Sequence, residues 1–457
     1  MERPANVRSA VILAAGQGNR FWPFNEVRNK CAFPAANIPI VRRLVQMLHS
    51  VGITHIVVVV SHLSASVRAA LAGLEFPVAI VEVGSGIGTA GSLLAGLRLL
   101  DDEPFLVLYG DTVVTEASVR AVMQTDARAA ALVTPMPPGE GTLWYSAGVE
   151  DGVIRTIVGH DADGTVRLCG LFLLRREIEP YLVNNPGIMK SVPVGGMPPL
   201  EADLAQSLAE MPGEIAAVNA RDFVVDVDKP WHGLEANLRL AHADTALLIE
   251  NHIHPTARVH ESAEINGFVQ IGAGSVIGPR VVIGGNTVIG CNTVVTNGAI
   301  LRGHNIVGNG CRVSDYCLVG EGSVVGDRCI VGHGAELDGV LLEGAYLYHY
   351  CEISGIVGQS VDIGAATVCG TLRFDDGLAE HRIGGRRERP IFGANASYFG
   401  DFCRTGVNVI TMPGVKIGCY SCVGAGIVVY QDVPSRTLVL LKQETVSRPW
   451  GPERYGW

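Results

Sequence analysis

The sequence predicts two folds joined in one chain, an α/β domain on a mostly parallel sheet followed by a parallel β-helix of hexapeptide turns. Three observations predict it. Up to about residue 228, short apolar runs alternate with helical patterns, which is how a sheet covered on both faces is written. From Ile253 an aliphatic residue recurs at every sixth position as far as Leu337. The 56 glycines are too many for helices and lack a period of three, so they imply a long series of tight turns.

In chain order, Ser9–Ala15, His55–Val60, Val78–Val83 and Phe105–Tyr109 are apolar runs of strand length. Ile40–Val51 sets Val41, Leu44, Val45, Leu48 and Val51 at helical spacing. In an open α/β sheet the ligand crevice lies at the carboxyl ends of the strands. The glycine-rich loop that follows the first run ends at one such edge, and Gly110-Asp111 ends at another. Glycines there let backbone N–H groups approach a phosphate, and Arg20 and Lys30 supply positive charge. An ordinary strand-to-helix turn would need neither cation.

Lys229–Asn251 carries Leu234, Leu238, Ala241, Leu247 and Leu248 at helical spacing, which predicts a connecting helix. The hexads then run through IGAGSV, IGPRVV, IGGNTV, VGEGSV and VGDRCI. Three hexads make one triangular coil, so 253–342 spans five coils. The register breaks at Glu343 and resumes at Cys351, Val357, Ile363 and Cys369, then again, after an insertion at Gly370–Gly393, at Phe399 and onward to Val429. Cys351 and Cys369 read as fillers of the aliphatic slot; Cys311, Cys317 and Cys329 lie two residues before it, on the same face. The inferred divisions are 1–228, a connecting helix at 229–252, the β-helix at 253–443 and a tail at 444–457.

The net charge of −10 argues against a general nucleic-acid or anionic-membrane surface and confines any anionic ligand to a pocket. No targeting pattern and no run of about 18 apolar residues is present, so a cytoplasmic protein with reduced thiols is expected. The 11 cysteines are scattered, and Cys419-Tyr-Ser-Cys422 has no second pair or histidine to complete a zinc set.

Four stretches carry a family resemblance. They are Leu13-Ala-Ala-Gly-Gln-Gly-Asn-Arg20 with Pro23 and Lys30, then Gly88-Thr-Ala-Gly91, Leu108-Tyr-Gly-Asp111 and Val225-Asp226-Val-Asp-Lys-Pro230. Together they resemble the sugar-1-phosphate nucleotidyltransferases. With the hexapeptide half, the whole chain resembles the bifunctional uridylyltransferase/acetyltransferase family, of the N-acetylglucosamine-1-phosphate uridylyltransferase type, and its archaeal-type relatives.

The resemblance implies a Rossmann-like nucleotidyltransferase domain and a left-handed β-helix that forms homotrimers. The implied reaction joins a sugar 1-phosphate to a nucleoside triphosphate with loss of pyrophosphate, where the protein supplies alignment and charge neutralisation. Leu13, Ala14, Ala15, Gly16, Gln17, Gly18 and Asn19 would line the phosphates, and Gly88, Thr89 and Ala90 the base and ribose. Arg20 and Lys30 would be catalytic, Gly170 would touch the sugar, and Asp111 and Asp226 would hold Mg²⁺. In the second half the resemblance implies acetyl transfer from acetyl-CoA.

The departures from the pattern are specific. Asn19 stands where threonine is usual, Asn29 where proline precedes the lysine, and Val83 where a base-reading glutamine is common. Ile157-Val-Gly-His-Asp161 replaces the acceptor Glu-Lys, and Leu168-Cys-Gly170 replaces Asn-Ala-Gly, so Gly159, Asp161 and Leu168 remove the usual acceptor-phosphate contact. Counting back from Gly364 puts the acetyl-transfer base at Tyr348, with His349 one residue later and Asp362 in place of an asparagine. His349 is the candidate base if a coil irregularity at 343–350 restores its face. The arginines of the insertion, Arg373, Arg382, Arg386, Arg387 and Arg389, are a solvated run or a contact for coenzyme A phosphates. The alternative readings are a nucleotide-sugar-binding regulator with little turnover, or an enzyme mainly of acyl transfer.

Overall fold

The computed structural model describes residues 7–100, 104–159, 161–189 and 200–451. Nine strands build the N-terminal sheet: β1 (Ser9–Ala14), β2 (His55–Val60), β3 (Ala79–Glu82), β4 (Phe105–Tyr109), β5 (Ala129–Pro135), β6 (Tyr145–Glu150), β7 (Val153–Gly159), β8 (Val166–Leu174) and β9 (Ile215–Asn219). Their order is β3-β2-β1-β4-β8-β5-β9-β7-β6. β1 runs parallel to β2 and β4, and β2 runs parallel to β3, as the alternating pattern requires. β9 also runs parallel to β5, but the remaining pairs depart from a mostly parallel sheet. β8 is antiparallel to β4 and β5, and β7 is antiparallel to β9 and to β6, with which it forms a hairpin with no crossover helix between them.

Strand alternation divides the core. Ala10, Ile12 and Ala14 pack on one face with the helix Ile40–Ser50, while Val11 and Leu13 pack on the other with the helix Gly88–Leu97. That alternation sends the chain out of β1 at Ala14 and leaves the following loop at the carboxyl edge, beside Gly110, whose N–H donates to the Leu13 carbonyl at 2.9 Å.

The connecting helix runs from Pro230 to Ala246, with proline at its start, where the missing N–H costs nothing. It is buried nearly all round by Trp231, Leu234, Ala236, Asn237, Leu240, Ala241 and Thr245, since it is wedged between the two halves. One apolar cluster accordingly contains Ile12, Phe33 and Trp231 together with Ile306, Val324, Val340 and Tyr398 of the second half.

That second half is a β-helix of short parallel strands in which residues 18 apart pair, as Glu264 does with Val282 and Leu318 with Glu336. The hexad aliphatics fill its axis. The register slips earlier than expected, at Gly339, so that Val324 pairs with Val340 and the coil is two residues shorter. Gly339 and Gly355 stack at this tight corner, where a Cβ on either would come 2.0 Å from the backbone oxygen of the next coil. The slip moves the slot from Cys351 to Ile353, which pairs with Leu337. Cys351 is buried, but two residues before the slot, like Cys311, Cys317 and Cys329. All 11 cysteines are free. The tail is described as far as Gly451 and forms no helix or strand from 440 onward. Among the described residues no helix is long and apolar enough to cross a membrane.

Contacts between the halves are polar as well as apolar. Arg28 forms a two-pronged pair with Asp401 at 2.9 and 2.6 Å and also donates to Gln359 at 3.1 Å. Asn37 donates to the Val325 carbonyl at 2.8 Å, and the Cys419 thiol to the Pro23 carbonyl at 3.0 Å. The segment just after the glycine loop is therefore seated on the β-helix.

Candidate active site

Asp111 and Asp226 are far apart in sequence and adjacent in the fold. The short strands Thr112–Val114 and Val224–Asp226 pair antiparallel, with Asp226 opposite Thr112, and the Val227 N–H donates to the Asp111 carbonyl at 2.9 Å. This ladder sets both carboxylates at the carboxyl end of β4. Lys30 reaches them from the turn Lys30–Ala32, pairing with Asp111 directly and with Asp228 at 3.4 Å. Arg20, on the exposed loop, pairs with the same Asp228 oxygen at 3.1 Å.

The charges bear on one another. Burial works against the Lys30 ammonium, but Asp111, Asp228 and Asp226 outweigh it and hold the lysine above its ordinary range. Burial, and then repulsion by Asp111, push the Asp226 carboxyl well above the carboxylate range, opposed by Lys30 and Arg167. Burial would raise Asp228 too, yet Lys30, Arg20 and Lys229 bring it down to about 2. A crowded pair of carboxylates, one of them straining toward neutrality, fits a site for a divalent cation.

Asn29 explains its own departure from proline. Its side-chain oxygen accepts from the Cys31 N–H at 2.9 Å, and its amide donates to the carbonyls of His62 (2.8 Å), Ala14 (3.2 Å) and Gly16 (3.2 Å). The loop and the lysine turn are thus tied together by hydrogen bonds instead of ring stiffness.

The other loop residues divide. Gly16, Gln17 and Asn19 are exposed at the mouth, Ala15 and Gly18 half-buried, and Leu13 and Ala14 buried in β1 as core. Gly88 opens a helix, but Ala90 is fully buried and its N–H donates to the Ala202 carbonyl at 3.0 Å. The Thr89 hydroxyl accepts from the Leu204 N–H at 2.8 Å. Those two residues brace the 202–204 segment. Gly170 has φ +62° in a bulge of β8, where a Cβ would lie 2.7 Å from the Tyr109 ring. It is buried structure that lets the strand pass Tyr109. Of the acceptor stretch, Asp161 accepts from Ser146 at 2.9 Å, Leu168 is core, Gly159 lies against the Tyr145 ring, and His160 is outside the described residues.

Sequence reasoning missed a second cluster behind the acids. Arg167 is 5 % exposed, and its guanidinium carbon lies 4.5 Å over the Trp144 ring. Its Nε and Nη1 are buried with no hydrogen-bond partner. Also close to Trp144 are the His232 ring at 5.6 Å and the Lys229 ammonium at 5.8 Å. His232 accepts from the Asp228 N–H at 3.3 Å, and burial, then Lys229, depress its pKa to about 3. Lys229 is neutralised by Glu388 at 2.7 Å. Glu388 belongs to a hairpin of the insertion, His381–Ile383 with Arg386–Glu388, so the insertion roofs this cluster. Its arginines stay local: Arg373 pairs with Asp375, and Arg387 and Arg389 pair with Glu380. Asp228 and Lys229 stood within the quoted Val225–Pro230 stretch, whereas Arg167 carried no signal beyond adjoining the altered Leu168-Cys-Gly170.

His349 lies in a corner turn of the β-helix, exposed, with its ring centroid 6.4 Å from that of His333 one coil away. Both line a surface recess of about 310 Å³ with Arg312, Asp315 and Tyr346.

Residues 10–167 match the model of the MobA-like NTP transferase domain. Over 449 residues, 96 % of this chain and 98 % of the relative, the sequence is 28 % identical to the bifunctional protein GlmU of Methanococcus maripaludis strain C7. Over 428 residues, 93 % of this chain and 98 % of the relative, it is 24 % identical to the bifunctional sugar-1-phosphate nucleotidylyltransferase/acetyltransferase of Sulfurisphaera tokodaii. The resemblance drawn from the four motifs thus extends along nearly the whole chain.

Proposed function

We propose that the N-terminal half joins a sugar 1-phosphate to a nucleoside triphosphate, and that the β-helix carries a separate acetyl-transfer site. The observation that carries the first reading is the convergence of Lys30, Asp111, Asp226 and Asp228 at the mouth of the sheet, beneath the glycine loop. Whole-chain similarity to a protein named for both activities supports the pairing.

In this reading an oxygen of the acceptor phosphate forms a bond to the α-phosphorus, the bond from that phosphorus to the bridging oxygen breaks, and pyrophosphate leaves. Asp111 and Asp226 would hold Mg²⁺, which would supply charge neutralisation for the phosphates. Gly16, Gln17, Gly18 and Asn19 offer backbone N–H groups, and Arg20 and Lys30 balance charge on the leaving pyrophosphate. Asp228 holds both cations in position until substrate claims them. Arg167 replaces the missing acceptor lysine: a buried guanidinium with two unpaired N–H edges is completed by a phosphate monoester, once the Trp144 turn moves aside.

Pyrophosphate release from a panel of nucleoside triphosphates and sugar 1-phosphates tests the reaction. Turnover of at least one pair is expected. Silence throughout, with a nucleotide sugar still raising the melting temperature, would replace it by the regulator reading. Arg167→Met is expected to raise KM for the sugar phosphate tenfold or more, by roughly 1.5 kcal/mol of lost charged hydrogen bonding, while sparing KM for the triphosphate.

For the second half, the recess holding His349 and His333 supports acetyl transfer from acetyl-CoA, with His349 as base. A left-handed homotrimer would wall the recess with a second copy. Loss of acetyl-CoA-dependent acetylation of an amino sugar in His349→Ala, with the trimer intact by sedimentation, is the expected result.

A further inference from the structure

We propose that His242, His304 and Glu321 form a binding site for a divalent ion of the zinc class, which pins the connecting helix to the β-helix. Each residue offers one ligand atom within 4.8 Å of the other two. His242 Nε2 and Glu321 Oε1 are 3.9 Å apart. His242 comes from the connecting helix, and His304 and Glu321 come from neighbouring coils, so the three meet only in the assembled fold.

The orientation of His304 is the first argument. When the Thr245 hydroxyl donates its hydrogen to the Ala241 carbonyl, 2.7 Å away, its oxygen accepts from His304 Nδ1 in their 2.8 Å contact. In that arrangement His304 carries its proton on Nδ1 and turns a bare lone pair on Nε2. Metal-binding histidines are held in this way, with the second ring nitrogen tied to an oxygen acceptor. His242 is prepared differently. Its ring stacks on His304 with centroids 4.3 Å apart and planes 26° off parallel, so both imidazoles face the same pocket edge as Glu321.

Space is the second argument. Gly322 has φ +70°, and a Cβ there would lie 3.1 Å from His242 Nε2 and 2.2 Å from a Leu238 methyl. The absence of a side chain at 322 lets the imidazole reach the coil surface beside Glu321. The ion's own dimensions are within reach. Ligand bonds of about 2.0–2.2 Å in a tetrahedron put donors about 3.4 Å apart. Glu321 is 64 % exposed, so its carboxylate closes the difference by turning inward. Two imidazoles and one carboxylate are a set for zinc-class ions and a poor one for Mg²⁺, which separates this site from Asp111 and Asp226. Three protein ligands leave a fourth position for water.

The test uses the full-length chain stripped of metal with a chelator and then dialysed. Zn²⁺ is titrated calorimetrically, and Co²⁺ is titrated while visible absorbance is followed. One Zn²⁺ per chain is expected, with a raised melting temperature, d–d bands of a low-coordinate nitrogen/oxygen site for Co²⁺, and the same stoichiometry in Asp111→Asn. Glu321→Gln, at an exposed position that leaves folding intact, should weaken Zn²⁺ binding about tenfold or more, as should His242→Gln. Absence of Zn²⁺ binding, or affinity unchanged in both variants, would overturn the proposal.

Discussion

Breaking the pair between Arg28 and Asp401 tests how firmly the segment after the glycine loop is moored to the other half. Asp401 is fully buried and Arg28 nearly so, and besides the two guanidinium bonds Asp401 accepts from the Gln359 N–H at 2.7 Å. Removing one partner of such a pair strands a charge in a dry interface, which costs about 3–5 kcal/mol. Asp401→Leu and Arg28→Met should each destabilise the full-length protein by that amount, measured as the shift in chemical denaturation. Exchanging both together removes the stranded charge and leaves mainly the orphaned Gln359 N–H, about 1–3 kcal/mol. The double variant should therefore be at least as stable as either single one, and single losses below about 1 kcal/mol, or strictly additive losses, would refute the reasoning. Because Arg28 is two residues from Lys30, turnover should fall in the single variants and partly recover in the double.

Three further outcomes are expected. Lys30→Ala should cut the rate of pyrophosphate release by a hundredfold or more while leaving a folded protein by circular dichroism, since it frees Asp111 and Asp228 of one cation at the mouth. His232 has a depressed pKa, so the unfolded chain binds a proton that the native one refuses, and stability falls as pH drops below about 6.5. Between pH 7 and 5 that loss should be about 2 kcal/mol by denaturation, and His232→Gln should flatten that part of the profile. Asn29→Ala should loosen the glycine loop, seen as faster amide exchange at 15–19 with β2 unaffected.

The β-helix was legible because one side chain per hexad must face the axis, so the period is imposed by geometry on every turn. The slip was less so: it is set by two glycines meeting across coils at 339 and 355, a contact 16 residues apart that no local pattern announces. In the sheet, β1, β2 and β4 are continuous apolar runs because both faces are covered. β6 and β7 are half-exposed, and their pairing decides the antiparallel turn of the second half. The acids and the loop could be read from order along the chain. The cluster of Arg167, Trp144 and His232 around Lys229 could not, since what makes it a cluster is a cation buried against a ring from a distant turn. Nor did the run of arginines in the insertion announce that its Glu388 pairs with Lys229.

Finally, the apolar cluster shared by Phe33, Trp231, Ile306, Val324 and Tyr398 bears on how the protein can be dissected. A chain ended after the connecting helix would present the underside of that helix and the Phe33 region to water, a sticky surface that favours aggregation. Domain boundaries visible in the sequence are thus not cutting sites, and a study of either half in isolation needs surrogate polar residues where its neighbour once lay.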